Sequence, residues 1–108
     1  MSSTKKDFLF RFLSPSIRHL LRCDEEALYS TTDQFTADKI CKDIVKFVPS
    51  SGVITDATAC IGGSSASFAR VFSKVNAVEI DSIKYDYLRH NMLIMGYRDV
   101  VHLSLIHI

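Results

Sequence analysis

The chain has 108 residues, 47% of them hydrophobic, with 13 lysines and arginines against 12 aspartates and glutamates, for a formal net charge of +1. That length and apolar content fit one globular domain with a core of its own and exclude a low-complexity chain. A charge so near zero does not mark a nucleic-acid binder, and no apolar run reaches membrane length.

Residues 5–13 are expected to form a helix, with Phe8, Leu9, Phe12 and Leu13 on one broad face. Ser14-Pro15 interrupts that pattern and starts a second helix over residues 16–22, which buries Ile17, Leu20 and Leu21. Lys5, Lys6, Arg11, Arg18 and Arg22 cluster in this stretch and suggest a modest basic face. Residues 23–32 read as a polar connector. Thr31 with Gln34 has capping-box spacing and Thr32 is the rival N-cap. A helix over residues 33–47 then places Ala37, Ile40, Cys41, Ile44 and Val48 on one face, and the run Pro49-Ser50-Ser51-Gly52 ends it.

The most informative run is ITDATACIGGSS at residues 54–65, followed by NAVEID at residues 76–81. It reads as strand, glycine turn, helix, strand and acidic end. Residues 53–55 suit a buried parallel strand that ends at Asp56. Gly62 and Gly63 let the backbone turn and approach a ligand closely, and Ser64 or Ser65 is the expected cap of the next helix. The second strand, residues 75–80, carries Glu79 and Ile80 at its end; Glu79 lies 16 residues after Gly63, near the offset at which a carboxylate meets a ribose diol. The dinucleotide pattern G-x-G-x-x-G is absent, since Ala57, Thr58, Ala59 and Cys60 stand before the glycines. The turn therefore suits a cofactor without a pyrophosphate, S-adenosylmethionine above all, and disfavours a nicotinamide oxidoreductase. Ser82 is the expected cap of a helix to about residue 95, with Tyr85, Leu88, Met92 and Met95 as its stripe and Gly96 as its stop. Val100-Val101 starts a third strand.

These motifs resemble class I S-adenosylmethionine-dependent methyltransferases, and more narrowly the trimethylguanosine synthase group, the RNA cap guanine-N2 methyltransferases. The group's first motif reads like DAFCGVGGNT, where this chain has DATACIGGSS at residues 56–65. Upstream the group has a stretch like LDxEGWFSVTPEKIAEHIA, where this chain has CDEEALYSTTDQFTADKIC at residues 23–41, with Asp24, Glu26, Ser30, Thr32 and Ile40 in step. Cys60 replaces a family glycine and Leu28 a family tryptophan. The resemblance implies a Rossmann-like α/β fold with an N-terminal helical extension (residues 1–32), followed by the first part of a cofactor-binding domain (residues 33–102) truncated after about three parallel strands. It implies S-adenosylmethionine held by Asp56, Ala57, Thr58, Gly62, Gly63, Glu79 and Ile80, with Ser30 and Thr32 near its methionine part. It implies RNA with a capped guanosine end as the partner, with Lys6 and Phe10 as the nearest counterparts of the family's substrate contacts. Glu79 would accept from both ribose hydroxyls, and Asp56 would hold the amino-acid end.

The family's Ser-Pro-Pro-Trp motif, whose tryptophan stacks on the cap base, has no counterpart here: the chain has no tryptophan, and its prolines are Pro15 and Pro49. The catalytic residues are thus expected outside this chain, which is expected to be inactive alone. Residues 103–108 (LSLIHI) match a translated transposon end used in library preparation and are expected to be an adapter-derived tail. The widely spaced Cys23, Cys41 and Cys60, and histidines 19, 90, 102 and 107 without ligand spacing, predict no disulfide framework and no metal site. With no secretory leader legible, an intracellular location, nucleus or cytoplasm, is expected. Methylation of ribosomal or transfer RNA guanine is the alternative substrate class. A non-catalytic cofactor- or RNA-binding module is the alternative outside enzymes.

Overall fold

Three parallel strands organise the molecule; the two helices that connect them pack on the sheet, and the earlier helices pack on other helices. The computed structural model describes residues 2–106. In chain order the elements are α1 (Ser2–Leu9), α2 (Pro15–Leu20), α3 (Glu25–Ser30), α4 (Gln34–Ile44), β1 (Val53–Asp56), α5 (Gly63–Ala69), β2 (Lys74–Glu79), α6 (Ser82–Met95) and β3 (Val101–Leu105). The sheet order is β1-β2-β3, so β2 is central, with Asp56 level with Ala77 and Glu79 level with Leu105. Val75, Ala77 and Glu79 of β2 are buried on one face, as the two-residue period of a strand requires. This is the Rossmann-like architecture expected, with two β-α-β units and a helical extension before them. Residues 103–105 complete β3, and the Ile106 N–H donates to the Glu79 carbonyl (3.0 Å). Residues 107 and 108, and with them the end of the expected tail and His107, lie outside the described residues.

Aspartates, not hydroxyl residues, start α3, α4 and α6. Asp33 caps α4 by accepting from the Thr36 N–H (3.2 Å), in place of the expected Thr31 or Thr32. Asp81 caps α6 by accepting from Ile83 and Lys84 (2.9 and 3.1 Å), in place of Ser82. A carboxylate at this position both accepts the free N–H groups and meets the positive end of the helix dipole, an advantage no hydroxyl has. Gln34 does not close a capping box; its Oε1 accepts from the Phe12 N–H (2.9 Å). The expected polar connector contains a helix, α3, capped by Asp24 with Glu25 and Glu26 in its first turn. Its Ala27 and Leu28 are fully buried. Ser14 and Pro15 start α2 as expected, but of that helix's expected core residues only Leu21, its C-cap, is buried; Leu20 is half exposed.

Two apolar clusters meet at the β1–α5 turn. One joins the sheet to α5 and α6 through Ala66, Val75, Ala77, Leu88, Met92 and Val101. The other joins Leu9, Phe10, Leu21, Ala27 and Leu28 of the extension to Ile61 of the turn. Asn91 on α6, fully buried, ties the two together. Its Oδ1 accepts from the Arg22 N–H (2.7 Å), and its Nδ2 donates to the carbonyls of Arg22 and Ile61 (2.9 Å each). The extension and the sheet layer are therefore packed as one body.

Replacing Asn91 with leucine keeps the branched outline, adds bulk at a fully buried position, and leaves the Arg22 N–H, the Arg22 carbonyl and the buried Ile61 carbonyl without their partner. We expect a loss of about 3 kcal/mol, read as a lower midpoint in urea; a midpoint within about 0.5 kcal/mol of wild type would show that water satisfies those groups instead. Asp33 gives a pH prediction. The Thr36 hydrogen bonds, with Arg11 beside it, hold its carboxyl below the usual range. A depressed carboxyl stabilises the fold above its unfolded pKa, and that stability is lost as pH falls through the folded value. Asp33→Asn keeps the cap acceptor but not the charge, so between about pH 5 and pH 3 its urea midpoint should fall less than that of wild type. An equal fall would assign the acid sensitivity to other carboxylates.

Candidate cofactor site

The C-terminal edge of the sheet collects the residues that the sequence singled out. Asp56 ends β1, Glu79 ends β2, and the turn from Ala57 to Gly63 runs between them. The turn changes backbone handedness twice. Gly62 has φ 104°, and Cys60 has φ 52° in the left-handed region that L side chains rarely adopt. Cys60 stands where the resembled family has a glycine, so the departure noted in the sequence falls at the position where a Cβ is most costly. The conformation persists because its surroundings fix it. Burial pushes the Cys60 thiol up, so it stays protonated. Its Sγ lies 3.8 Å from the Thr31 hydroxyl.

Glu79 is the main fixture. It is 7% exposed. Its Oε1 accepts from the Cys60 N–H (2.8 Å), and its Oε2 accepts from the Ile80 and Asp81 N–H groups (3.0 and 2.8 Å). A carboxylate has about four acceptor positions. Three are taken by backbone, which leaves one open position, on Oε1, for a further donor; the expected acceptance from both ribose hydroxyls would need two. Asp56 is freer. Oδ2 accepts from the Ser65 hydroxyl (2.8 Å) and Oδ1 from the Thr58 N–H (3.3 Å), which leaves each oxygen one position. Ser65 is thus a partner of Asp56 and not the cap of α5, whose N-cap is Gly62 with no side-chain bond. Acceptors at this edge fit a ligand rich in hydroxyl and ammonium donors.

The remaining sequence-predicted residues are unevenly placed. Gly63 is buried against the end of the extension; a Cβ there would come within 2.7 Å of Thr31 Cγ2 and 2.8 Å of the Thr32 carbonyl oxygen. Thr32 therefore meets the turn through its backbone, and Thr31, expected only as a helix cap, meets it through its side chain. Ser30 is exposed, and its hydroxyl donates to the Glu26 carbonyl (3.1 Å). Ala57 and Thr58 are exposed, and Ile80 is 57% exposed beside Glu79. Lys6 donates to the Leu21 carbonyl (3.0 Å), and Phe10, 2% exposed, sits in the core of the extension rather than where a base can stack on it.

The expected basic N-terminal face does not form as one patch. Arg18 pairs with Asp7 (3.6 Å), and Arg11 pairs with Asp33 (3.3 Å). Arg11 also lies over the Phe8, Phe12 and Phe35 rings at 4.5, 5.2 and 5.7 Å, and all three rings are more than half exposed. Lys84 pairs with Glu26 and Asp81, and these partners hold its ammonium well above the usual lysine range. That pair fastens the start of α6 to the extension. Among the described residues no group of three or more histidine, cysteine, aspartate or glutamate side chains is placed to hold a metal ion, and no helix is long and apolar enough to cross a membrane.

This arrangement is the first half of a class I methyltransferase fold. The chain is similar to the structure of a methyltransferase from Geobacter sulfurreducens (TM-score 0.58, 16% identity, 84% of this chain and 54% of that one). It is similar also to an O-methyltransferase from Bacillus cereus in complex with SAH (TM-score 0.60, 15% identity, 94% of this chain and 52% of that one). In sequence it is 36% identical over 73 residues to trimethylguanosine synthase of Schizosaccharomyces pombe, across 68% of this chain and 30% of that protein. It is 44% identical over 48 residues to an uncharacterized protein of Acanthamoeba polyphaga mimivirus, across 44% of this chain and 19% of that protein. The chain thus spans less than a third of the curated relatives it matches. No family model matches it.

The left-handed Cys60 yields a stability prediction. A β-branched side chain tolerates that backbone worst and glycine best. We expect Cys60→Val to be less stable than Cys60→Gly by about 2 kcal/mol in urea unfolding. Equal midpoints would mean that the turn adopts another conformation.

Proposed function

We propose that this chain forms the cofactor-binding half of an S-adenosylmethionine-dependent RNA methyltransferase that modifies the exocyclic amine of a cap guanosine, as trimethylguanosine synthases do. The observation that carries the reading is the meeting of Asp56, the left-handed turn at Gly62 and Glu79 at one edge of a parallel sheet. The similarity to the fission-yeast trimethylguanosine synthase supports the choice of substrate, and the SAH named with the Bacillus cereus structure supports the choice of cofactor. Exposed rings interleaved with Arg11 are the kind of surface on which RNA bases stack. An intracellular site of action, nucleus or cytoplasm, goes with that substrate.

Bound S-adenosylmethionine supplies a methyl group on a sulfonium, ready for transfer to an amine. The residues here bind and orient. Glu79 accepts a ribose hydroxyl at its open Oε1 position while its other positions keep the turn in shape. Asp56 accepts from the ammonium end, directly or through water. Backbone at the exposed Ala57 and Thr58 approaches the ligand, while Gly62 and Gly63 let the turn behind it pack closely, since a Cβ there would meet Met92 and Thr31. Ile80 offers an apolar surface beside Glu79, and Thr32 closes the methionine side. Alignment of the acceptor amine needs groups that this chain does not carry, since it has no tryptophan and no paired prolines.

Calorimetric titration of the chain with S-adenosylhomocysteine tests the reading. Wild type should bind. Asp56→Asn should weaken binding about tenfold or more, as loss of a charged acceptor does, with the urea midpoint little changed. Glu79→Gln should lose binding and stability together. A folded wild-type chain that gives no binding heat would overturn the cofactor assignment. The chain incubated with labelled S-adenosylmethionine and capped RNA should transfer no methyl group; labelled guanine amine would place the aligning groups within these residues.

A further inference from the structure

A cleft of about 570 Å³ opens beside α6 and β3 and shares no lining residue with the Asp56–Glu79 turn. Its volume is in the range of ligand-binding clefts. Arg22, Arg89 and Arg98 line it together with Leu93, Val101 and Leu103, and its one acidic residue is Asp86. The molecule as a whole has a formal charge of +1, so three arginines against one aspartate is a local concentration of positive charge. Two of them are uncommitted: among the described residues, Arg22 and Arg98 form no ion pair. Arg89 meets Asp86 at 3.6 Å, but both side chains are about two-thirds exposed, and such pairs are weak. His90, also in the lining, spends its Nε2 on the Leu20 carbonyl (2.8 Å).

The cleft is also built. The buried Asn91 amide bonds both the N–H and the carbonyl of Arg22, which fixes the point from which that guanidinium projects over α6. Leu93, 54% exposed, lines the same cleft as the cations. Guanidinium forks match phosphate oxygens, and an exposed apolar side chain in the same cleft matches the flat face of an unpaired base. An acidic peptide has use for the first feature only.

We propose that this cleft binds single-stranded RNA, with Arg22, Arg89 and Arg98 on successive phosphates and a base against the exposed Leu93. The choice of RNA over DNA rests on the function proposed above; the cleft itself does not depend on the cofactor reading.

The test is fluorescence anisotropy of a labelled 12-nucleotide oligouridine with the whole chain over a series of salt concentrations. The Arg22→Gln/Arg89→Gln/Arg98→Gln variant should bind at least tenfold more weakly at low salt. Its slope of log affinity against log salt should be shallower by about 2, as loss of three single-strand phosphate contacts requires. Lys46→Gln/Lys74→Gln, which removes charge outside the cleft, should stay within about twofold of wild type. Equal weakening in both variants, or none in the arginine variant, would overturn the proposal. So would poly-glutamate binding to wild type as tightly as the RNA and losing as much in the arginine variant, the mark of a general polyanion site. Oligodeoxyuridine bound equally well would overturn RNA as the source of the phosphates. S-adenosylhomocysteine titrated in parallel separates the two readings: lost RNA binding in the arginine variant with no cofactor heat in wild type supports the cleft and refutes the cofactor site.

Discussion

The turn between β1 and α5 keeps its shape because a buried carboxylate holds it. Burying a charge is costly unless hydrogen bonds replace its hydration. Glu79 recovers that cost through three backbone N–H groups, one from the turn at Cys60 and two from the chain leaving β2. From that fixture the rest follows. Cys60 is held in the left-handed region, so Ile61 points into the extension and Gly62 can open α5. Asn91 then takes the Ile61 carbonyl, and through Arg22 the end of α2 is drawn onto α6. A cofactor turn, a helical extension and a crossover helix are thus one mechanical unit.

This arrangement divides labour between the two carboxylates at the sheet edge. Glu79 serves the fold first and offers a ligand what remains. Asp56 makes only local bonds, to Ser65 and Thr58, and so is available to a ligand without being essential to the turn. The two are not equivalent as probes: a loss of affinity at Glu79 mixes folding with binding, whereas one at Asp56 reports on the site.

Much of the fold was legible because its signals are periodic. The stripe of α6, the two-residue alternation of β2 and the glycine turn before α5 are patterns that burial imposes directly, whereas of the stripe expected for α4 Ala37 and Cys41 are buried and Ile40 and Val48 are exposed. What escaped was set by single polar groups. At the helix starts, Asp33 and Asp81 outcompeted the neighbouring hydroxyls because charge adds to capping. Ser65 was lost as a cap because Gly62 already sets the entry of α5, which freed the hydroxyl for Asp56. The six-residue α3 is too short to show a stripe; its signal was Asp24 followed by two glutamates. Asn91 was the larger omission. It lies on the same stripe as Leu88, Met92 and Met95, and a lone amide among apolar positions at helical spacing is the mark of a buried polar link.

Charge illustrates why sequence proximity is a weak guide to surface. Five cations fall in the first 22 residues with Asp7 the one acid among them, and read linearly they make a basic arm. Folding sorts them by what each can reach. Lys6 finds a carbonyl, Arg18 finds Asp7, and Arg11 finds Asp33 and three rings. Arg22 alone is carried to the far end of α2, where Asn91 fixes its backbone and leaves its guanidinium beside those of Arg89 and Arg98, residues 67 and 76 positions further along the chain. A chain of near-zero net charge can therefore still present a concentrated positive field, provided that its acids are spent on helix caps and internal pairs while a few arginines are not.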